Sequence, residues 1–353
     1  MPTKFIAHAG LAGCLGAALA ATTVAQPSPK GVSTPAAAKS AFVAPGTPGS
    51  PISGEVFHAQ VLLDAAGFSP SVIDGKKGMS LTNALKGFQE SRGLDVTGKL
   101  DGATRGALLQ DRRPSTRMLQ LTADDVGGPF VYPFPKKPED QAKLKEMSYR
   151  NALEKLSERF HTTPDTIVAL NGRDALIGEG QVLRLPNVLP SSRDYAGLKP
   201  EYAKLMSQLN VDGRQVEGKS VVLDKSEGLL KVLDGEDRLV AQFPVTTGSG
   251  HDPLPLGTWK ATTYAYLPPF HYQPNLFWDI DDQKDEQKLP PGPNGPVGVA
   301  WLDLTKEHYG IHGTPEPQTI GRTESHGCIR MTNWDVLRLS RILKPGFKAV
   351  FKA

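Results

Sequence analysis

The amino-acid sequence predicts a multidomain chain in which a mainly β domain, a sandwich or a barrel, follows a small helical domain and a small α+β module. Three observations carry this prediction. Apolar residues at helical spacing alternate with turn glycines over residues 54–112. Helical stripes and one strand-like run occupy residues 149–190, and short strands joined by tight turns dominate residues 218–353. A chain of 353 residues is long enough for two or three domains with hydrophobic cores.

The charge balance argues against a nucleic-acid-binding protein. The chain has 40 Lys and Arg residues and 37 Asp and Glu residues, which give a formal charge of +3. Nucleic-acid-binding domains concentrate basic residues on one face, and a nearly even balance does not predict such a face. The partners therefore have to be inferred from individual sites.

Residues 1–25 have the pattern of a secretory signal peptide. Lys4 is followed by an uncharged run from Phe5 to Ala21, and Thr23-Val24-Ala25 supplies a small-residue cleavage site. The run is short for a permanent membrane span, and no other segment reaches transmembrane length. We therefore expect export to the periplasm or cell envelope, with no stable membrane span after cleavage. A lipid anchor on Cys14, within Leu11-Ala12-Gly13-Cys14, is the alternative.

The cysteine content predicts a free thiol. The chain has 2 cysteines, and cleavage after Ala25 removes Cys14. Cys328 then remains in an oxidising compartment with no disulfide partner, which is the pattern of a reactive cysteine.

After a Pro-, Ala- and Ser-rich linker at residues 26–53, residues 54–112 predict a compact helical domain. One helical face is formed by Val61, Leu62, Ala65 and Ala66, and another by Leu81, Leu85 and Phe88. The run Ala84–Leu94, followed by Thr97–Asp101 and Thr104, resembles the three-helix peptidoglycan-binding domain. That resemblance implies cell-wall binding, and a helical bundle without a ligand is the alternative.

A Pro-rich connector at residues 113–148 leads to the α+β module at residues 149–190, and a linker at residues 191–217 follows it. The module has a helical stripe, a second helix between Thr163 and Asn171-Gly172, and a strand near Gln181–Pro186. These elements resemble the latter part of a LysM module, a type that binds glycan strands. The N-terminal strand of that pattern is not evident, so a spacing role is the alternative. Because connectors separate the modules from residues 218–353, we expect the modules to localise the protein rather than to catalyse.

Short strands with tight turns predict the β domain at residues 218–353. Candidate strands cover Ser220–Leu223, Leu229–Leu233 and Arg238–Phe243. The Pro- and Asp-rich stretch Tyr264–Pro296 is too long for a simple connection and predicts a functional lid. Its apolar residues suited to covering a site are Leu267, Phe270, Tyr272, Phe277 and Trp278.

Two motifs in this domain carry the chemistry, Tyr309–Thr314 and Ser325–Arg330. A thiol is a poor nucleophile until ionised, so a catalytic cysteine needs a neighbouring base and donors for the oxyanion. His312 precedes Cys328 by sixteen residues, which is enough for two adjacent strands to bring them together. Gly313 and Gly327 permit close backbone approach beside them.

The two motifs, with Phe243–Gly248, Pro255–Trp259 and Pro290–Gly298, resemble the L,D-transpeptidase catalytic domain, also called the YkuD domain. The resemblance extends from about residue 218 to the C-terminus. It implies a mainly β sandwich that acts on peptidoglycan stem peptides without a metal or organic cofactor. The implied reaction cleaves the bond between the third stem residue and D-Ala and transfers the acyl group to an amine.

The resemblance also assigns roles to residues of this chain. It makes Cys328 the nucleophile and His312 the general base, with the Gly313 carbonyl holding the imidazole tautomer. His326, Gly327 and the Cys328 amide would shape the oxyanion pocket. Two departures from the family pattern, Leu254 before the Pro-x-Gly turn and Gly295 in the Pro-rich loop, do not touch this chemistry.

Three further residues of the motifs are candidates for substrate binding. The planar fork of Arg330 suits a substrate carboxylate, and an ion pair with Glu324 is the alternative. Tyr309 and Ser325 flank the proposed catalytic pair, and simple packing is the alternative for Tyr309.

Metal binding is the alternative for some of these side chains. A zinc site built from Cys328, His312 and His326 would use suitable ligands, but no zinc motif supports it. The acidic residues at 279–286 lack the spacing of a calcium loop and predict a solvated lid face. A helix capped by Thr332 or Asn333 is expected to support the site from below.

Three rival functions remain at this level. An L,D-carboxypeptidase would use the same residues with water as the acceptor. A catalytically silent wall-binding protein would need no exposed thiol beside a histidine. A zinc D,D-peptidase would need a His-x-His ligand set, which the sequence lacks.

Overall fold

Three helices begin the part of the chain that the structure describes. The computed structural model describes residues 52–276 and 285–353, so the predicted signal peptide, Cys14, residues 26–51 of the predicted disordered linker, Phe277, Trp278 and residues 279–284 of the acidic run lie outside the described residues. The helices are α1 (Gly54–Ala65), α2 (Met79–Ser91) and α3 (Gly102–Leu108). Among the described residues, no helix is both long and apolar enough to cross a membrane.

Helix α1 is buried on two faces. Val56 and Leu63 pack with α2 in the core of the helical domain, whereas Phe57 and Val61 pack into the core of the module that follows. A helix on the surface of one domain normally buries a single apolar stripe. Helix α1 is therefore shared between two parts of the chain.

The predicted helical stripes are largely correct. Leu81, Leu85 and Phe88 are buried, as the spacing predicts. In α1 the burial ends earlier than expected, and Ala65 is exposed. Ala65 is the last residue of the helix, and Ala66 after it still packs against the helical core.

The second module contains a strand that the sequence did not reveal. Strand β1 (Thr116–Gln120) pairs antiparallel with β2 (Val182–Pro186). Between them lie four helices: α4 (Ala123–Val126), α5 (Pro138–Gln141), α6 (Ala152–Arg159) and α7 (Pro164–Asn171). The residues expected to be a connector, 113–148, thus supply β1, α4 and α5. Strand β1 has a weak sequence signal because it is largely exposed and forms mainly backbone contacts.

The segment expected to be a linker, 191–217, also contains regular structure. Helix α8 (Pro200–Gln208) lies there, with Pro200 in its first turn. Met206 is fully buried and belongs to the same core as the large sheet. This segment therefore packs on the β domain instead of separating it from the module.

Eight strands form one mixed sheet in the C-terminal domain, in the order β11-β10-β9-β6-β12-β3-β4-β5. Their bounds are β3 (Ser220–Asp224), β4 (Leu229–Leu233), β5 (Leu239–Pro244), β6 (Gly257–Tyr266), β9 (Ala300–Leu304), β10 (Gly310–His312), β11 (Ile329–Arg330) and β12 (Lys348–Lys352). Two short strands, β7 (Phe270–Tyr272) and β8 (Gln287–Leu289), form a separate antiparallel pair.

Strand β6 joins the two halves of the large sheet. It pairs with β12 through its first residues and with β9 through its last, and the register shifts between Ala261 and Tyr264. Such a shift bends a strand and increases its twist, so the sheet curls at this point. The mainly β character is confirmed, and the exact sandwich stays a prediction.

The predicted helix after Cys328 is α9 (Asn333–Ile342), and Thr332 is its cap. The Thr332 side chain accepts a hydrogen bond from the Asp335 amide at 3.1 Å. Val336 and Leu339 are fully buried against the sheet, as predicted. The helix is buried on its other sides as well, because the N-terminal domains cover it.

Charged side chains are buried where these domains cover α9. Arg338 donates to Asp64 of α1 at 3.1 Å, and the ring of His161 lies 3.1 Å from the same carboxylate. The His161 ring also stacks on Trp334, with 5.0 Å between centroids. Burial alone would raise the pKa of Asp64, but the charges of Arg338 and His161 lower it overall. These buried contacts tie the N-terminal domains to the β domain, so the segments between them are not free connectors.

Candidate active site

Two paired strands bring residues of the two motifs onto one sheet edge. Strands β10 and β11 are parallel, and His312 lies opposite Arg330 in their register. Cys328 directly precedes β11, and the register places it beside Gly310, the first residue of β10. On the other side of β10, Trp301 of β9 stacks on the His312 ring with 5.4 Å between centroids. A strand end with a packed aromatic neighbour gives the imidazole a fixed orientation.

The His312 ring has a defined tautomer. Its Nδ1 lies 2.7 Å from the carbonyl oxygen of Gly313. Since a carbonyl can only accept a hydrogen bond, Nδ1 carries the proton and the lone pair resides on Nε2. Burial, with the charge of Arg330 as a smaller cause, lowers the pKa of His312 to about 3, while the Gly313 carbonyl opposes this change. The imidazole is thus neutral at ordinary pH and can accept a proton through Nε2.

Cys328 is a free, half-buried thiol. Its Sγ donates to the carbonyl oxygen of His308 at 3.6 Å. Burial raises the pKa of Cys328, and the Gly310 backbone and Arg330 oppose this rise. The resting pair is therefore a thiol and a neutral imidazole, and the thiol must lose its proton as it attacks.

The turn before Cys328 is shaped by a glycine and a hydroxyl group. Gly327 has φ +97°, and a Cβ placed on it would lie 2.8 Å from the ring of Tyr309. This position therefore requires glycine on two grounds, backbone conformation and space. The hydroxyl of Ser325 donates to the Cys328 carbonyl at 2.6 Å, so it stabilises the turn even though Ser325 also borders the cavity.

A cavity of about 840 Å³ opens over Cys328. The sequence-predicted residues that line it are His312, Cys328, Ser325, His326, Arg330 and Tyr309, together with Phe270 and Tyr272 of the predicted lid. Gly313 contributes through its carbonyl to His312, and Leu267 packs against the core of the sheet instead. The cavity is mostly apolar in character with a few polar groups, as expected of a small-ligand site.

Arg330 borders the cavity with a half-buried guanidinium. Burial lowers its pKa, and the charges of Cys328 and Glu316 oppose this effect. Among the described residues, no ion pair joins it to Glu324. Its guanidinium is thus one of the few charged groups that line the cavity.

The sequence did not predict that the N-terminal module forms part of the cavity wall. Pro138 and Gln141 of α5 line it, and α5 packs against β8. Behind α5, the Met147 amide donates to the Pro291 carbonyl at 2.8 Å, and the Asn294 amide donates to the Met147 carbonyl at 2.9 Å. These bonds tie the module to the base of the lid. Residues so distant in sequence gave no local signal of this contact.

The zinc alternative has no geometric support. Within residues 52–276 and 285–353, no group of three or more His, Cys, Asp or Glu side chains is arranged to hold a metal ion. Cys328, His312 and His326 are therefore not such a group.

Comparison with known proteins gives two domain matches. Residues 218–351 match the model described as the L,D-transpeptidase catalytic domain, YkuD. Residues 53–108 match the model described as "Putative peptidoglycan binding domain". The chain therefore contains a YkuD-type L,D-transpeptidase catalytic domain and a peptidoglycan-binding domain.

Individual relatives share shorter segments. "Putative L,D-transpeptidase YkuD" of Bacillus licheniformis is 57% identical over 56 residues, which cover 16% of this chain and 34% of the relative. "Putative L,D-transpeptidase YqjB" of Bacillus subtilis is 26% identical over 135 residues, covering 37% and 68%. The chain thus spans about a third of the length of the YkuD relatives it matches.

A solved structure of an L,D-transpeptidase (residues 123–326) from Xylanimonas cellulosilytica is 14% identical, with a TM-score of 0.34, and the match covers 90% of this chain and 100% of that one. The fold described above rests on the strand pairings of this chain itself.

Proposed function

We propose that this protein is a peptidoglycan L,D-transpeptidase that works through an acyl-enzyme on Cys328. The observation that carries the proposal is a free thiol and a neutral histidine, held in its Nδ1-protonated tautomer, on the wall of one cavity. A YkuD-type catalytic domain surrounds this pair. The substrate would be a stem tetrapeptide, cleaved between its third residue and D-Ala.

In the first step His312 Nε2 takes the proton of the Cys328 thiol as the sulfur attacks the peptide carbonyl. A carbon–sulfur bond forms, and the carbonyl electrons move to an oxyanion. Amides of the turn at His326, Gly327 and Cys328 are suited to hold this charge, because Gly327 keeps the turn free of side-chain bulk. The carbon–nitrogen bond then breaks, and the imidazolium gives its proton to the leaving amine of D-Ala.

The low pKa of His312 favours proton transfer from the imidazolium to the leaving amine of D-Ala. An imidazolium that burial disfavours is a strong acid, so it transfers its proton readily to the leaving amine. In the second step an acceptor amine, the side-chain amine of a third residue on a neighbouring stem, loses a proton to His312 and attacks the thioester. The carbon–sulfur bond breaks, and the imidazolium returns its proton to the sulfur, which regenerates the Cys328 thiol. The new amide is a 3-3 cross-link.

Two features support positioning of the substrate. Arg330 directs a guanidinium to the cavity and is suited to the terminal carboxylate of D-Ala. Tyr309 lies against Gly327 and borders the same cavity, so it would form a wall for the peptide.

The N-terminal part would bring the enzyme to its polymer. The peptidoglycan-binding domain at residues 53–108 supports wall binding, and we propose that β1, α6, α7 and β2 form a LysM-like module that contacts glycan strands. The proposed substrate and the proposed binding partner are both parts of the cell wall. We therefore also propose that the protein acts in the periplasm or cell envelope after signal cleavage.

Mass spectrometry of the purified protein with a stem tetrapeptide tests the proposal. We expect an adduct on Cys328 with loss of one D-Ala, and a cross-linked dimer when an acceptor stem is abundant. Cys328→Ala is the control that should give neither. A product mixture of tripeptide alone at high acceptor concentration would favour the L,D-carboxypeptidase, and absence of any adduct would favour a wall-binding protein without catalysis.

A further inference from the structure

We propose that Glu158, on α6 of the N-terminal module, is a positioning residue for the His312 loop and acts through Asn333. This inference deepens the proposed function and rests on it. Neither side chain lines the cavity over Cys328, so both would act only through the backbone that holds the imidazole.

Asn333 is wedged against the loop that orients His312. Its Oδ1 accepts a hydrogen bond from the Val299 amide at 3.1 Å. A Cβ placed on Gly313 would lie 2.2 Å from this Oδ1, and one placed on Gly298 would lie 2.0 Å from it. Real Cβ atoms do not approach so closely, so the amide of Asn333 fills the space that two glycines leave open. The carbonyl of the same Gly313 accepts from His312 Nδ1.

Glu158 holds the other end of the Asn333 amide. The Asn333 Nδ2 donates to both oxygens of Glu158, at 2.9 and 3.1 Å, and to the Pro293 carbonyl at 3.2 Å. The hydroxyl of Tyr149 also donates to Glu158, at 3.1 Å. Glu158 and Asn333 are both fully buried or nearly so, and buried hydrogen bonds of this kind fix a side chain in one orientation.

The contacts therefore form a continuous chain from the N-terminal module to the base. Glu158 fixes the Asn333 amide, Asn333 fixes the backbone at Gly313, and Gly313 fixes the His312 tautomer. If the Asn333 amide turned or shifted, the backbone at Gly313 would lose its support, and the carbonyl that fixes the His312 ring would move with it. A shift of about 1 Å in a reacting group can lower a rate about a hundredfold.

Three variants of the full mature chain test the inference. Glu158→Ala removes both acceptor oxygens, whereas Glu158→Gln keeps one. Ser69→Ala is the matched control, because the Ser69 hydroxyl donates to Asp335 at 2.6 Å and so also ties an N-terminal domain to the first turn of α9. The Ser69 contact does not reach Gly313. Each variant is measured for thermal stability, for kcat and KM on stem peptides, and for the alkylation rate of Cys328 by iodoacetamide.

We expect Glu158→Ala to lower kcat and the alkylation rate by about tenfold to a hundredfold with little change in KM. Glu158→Gln should restore most of both rates, and Ser69→Ala should lose stability while keeping them. If Glu158→Ala loses stability to the same extent as Ser69→Ala but keeps its kcat and alkylation rate, the inference is overturned. Alkylation reports on His312 without any peptide, so a wild-type enzyme that alkylates rapidly but transfers no acyl group would refute the proposed function alone.

Discussion

The buried carboxyl of Glu158 should make this protein less stable as the pH rises through the neutral range. Burial, against the hydrogen bonds of Asn333 and Tyr149, raises the pKa of Glu158 from 4.5 to about 8, and the neighbouring charge of Glu154 adds to the rise while Arg150 opposes it. The folded state thus holds this proton more tightly than the unfolded state does. Between these two pKa values the unfolded state binds fewer protons, so the free energy of unfolding falls as the pH increases.

The size of the effect follows from the two pKa values. The contribution is fully present below pH 4.5, declines through the interval and is lost by about pH 8. One pKa unit corresponds to about 1.4 kcal/mol, so the whole interval corresponds to about 5 kcal/mol. Between about pH 6 and about pH 9, linkage predicts that wild type loses about 3 kcal/mol of this contribution.

Glu158→Gln removes this titration while keeping an acceptor for Asn333. Urea unfolding at a series of pH values, followed by tryptophan fluorescence, would measure the difference, since Trp334 is fully buried at the domain junction. We expect the two proteins to differ by about 3 kcal/mol more at about pH 9 than at about pH 6, with the variant the more stable at high pH. Other groups titrate alike in both proteins, so parallel stability curves would refute the reasoning.

Three more outcomes follow from contacts in the structure. His312→Ala should slow the alkylation of Cys328 by iodoacetamide at neutral pH, measured by mass spectrometry, because burial keeps the thiol protonated and the variant has no base beside it. Gly298→Ala should lower the free energy of unfolding by roughly 2 to 4 kcal/mol in urea, because its φ is +59° and the new Cβ would overlap the side chain that begins α9. Asp64→Asn should cost about 3 kcal/mol in the same assay, because it removes the closer of the two carboxylates, Asp64 and Asp335, that pair with the buried guanidinium of Arg338.

A control variant or a contradicting outcome can be stated for each of these three predictions. Gly106→Ala lies within α3 with no atom within 4 Å of the new Cβ, so it should be neutral or stabilising by up to about 1 kcal/mol. An equal loss of stability in the two glycine variants would contradict the steric argument. Unchanged alkylation after loss of His312 would move the base to another group, with His326 the next candidate. For Asp64→Asn, separate unfolding of the helical domain while the catalytic domain stays intact would contradict a shared junction.

The local chemistry of the site could be predicted because it is encoded in two short motifs. His312 and Cys328 lie at the ends of neighbouring strands, and the glycines beside them meet close contacts that a side chain would block. The pairing of β10 with β11 therefore brings the two motifs together in space. The capping of α9 by Thr332 could be predicted for the same reason, since its partner is three residues away.

The contributions of the N-terminal part could not be predicted from local patterns. Glu158 and Gln141 are about 150 residues or more from the catalytic motifs, and no periodicity specifies which surface a helix will cover. The sequence predicted Asn333 only as an alternative helix cap to Thr332, and its contact with Gly313 depends on packing between three elements. Strand β1 was missed because its burial is slight, and its partner strand lies more than 60 residues away.

In the segment expected to be a linker, usable signals were present. Pro200 is suited to the first turn of a helix, and Leu205 and Met206 lie on the buried side of α8. The glycines and charged residues around them hid this short pattern within a polar stretch. The prediction of flexible connectors implied that the N-terminal modules are detached from the catalytic domain. The buried pairing of Asp64 with Arg338 contradicts this prediction.

That buried pairing restricts how such a protein can be recombined. If the catalytic domain were fused behind a different anchoring domain, α9 would carry Arg338 and Asn333 into the chimera without Asp64 and Glu158. Any replacement anchoring domain would have to place one carboxyl group beside Arg338 and another beside Asn333. Without them, both side chains would be buried without these partners. Gene fusion, whether in evolution or in the laboratory, should therefore succeed most often when residues 52–353 are exchanged as one cassette.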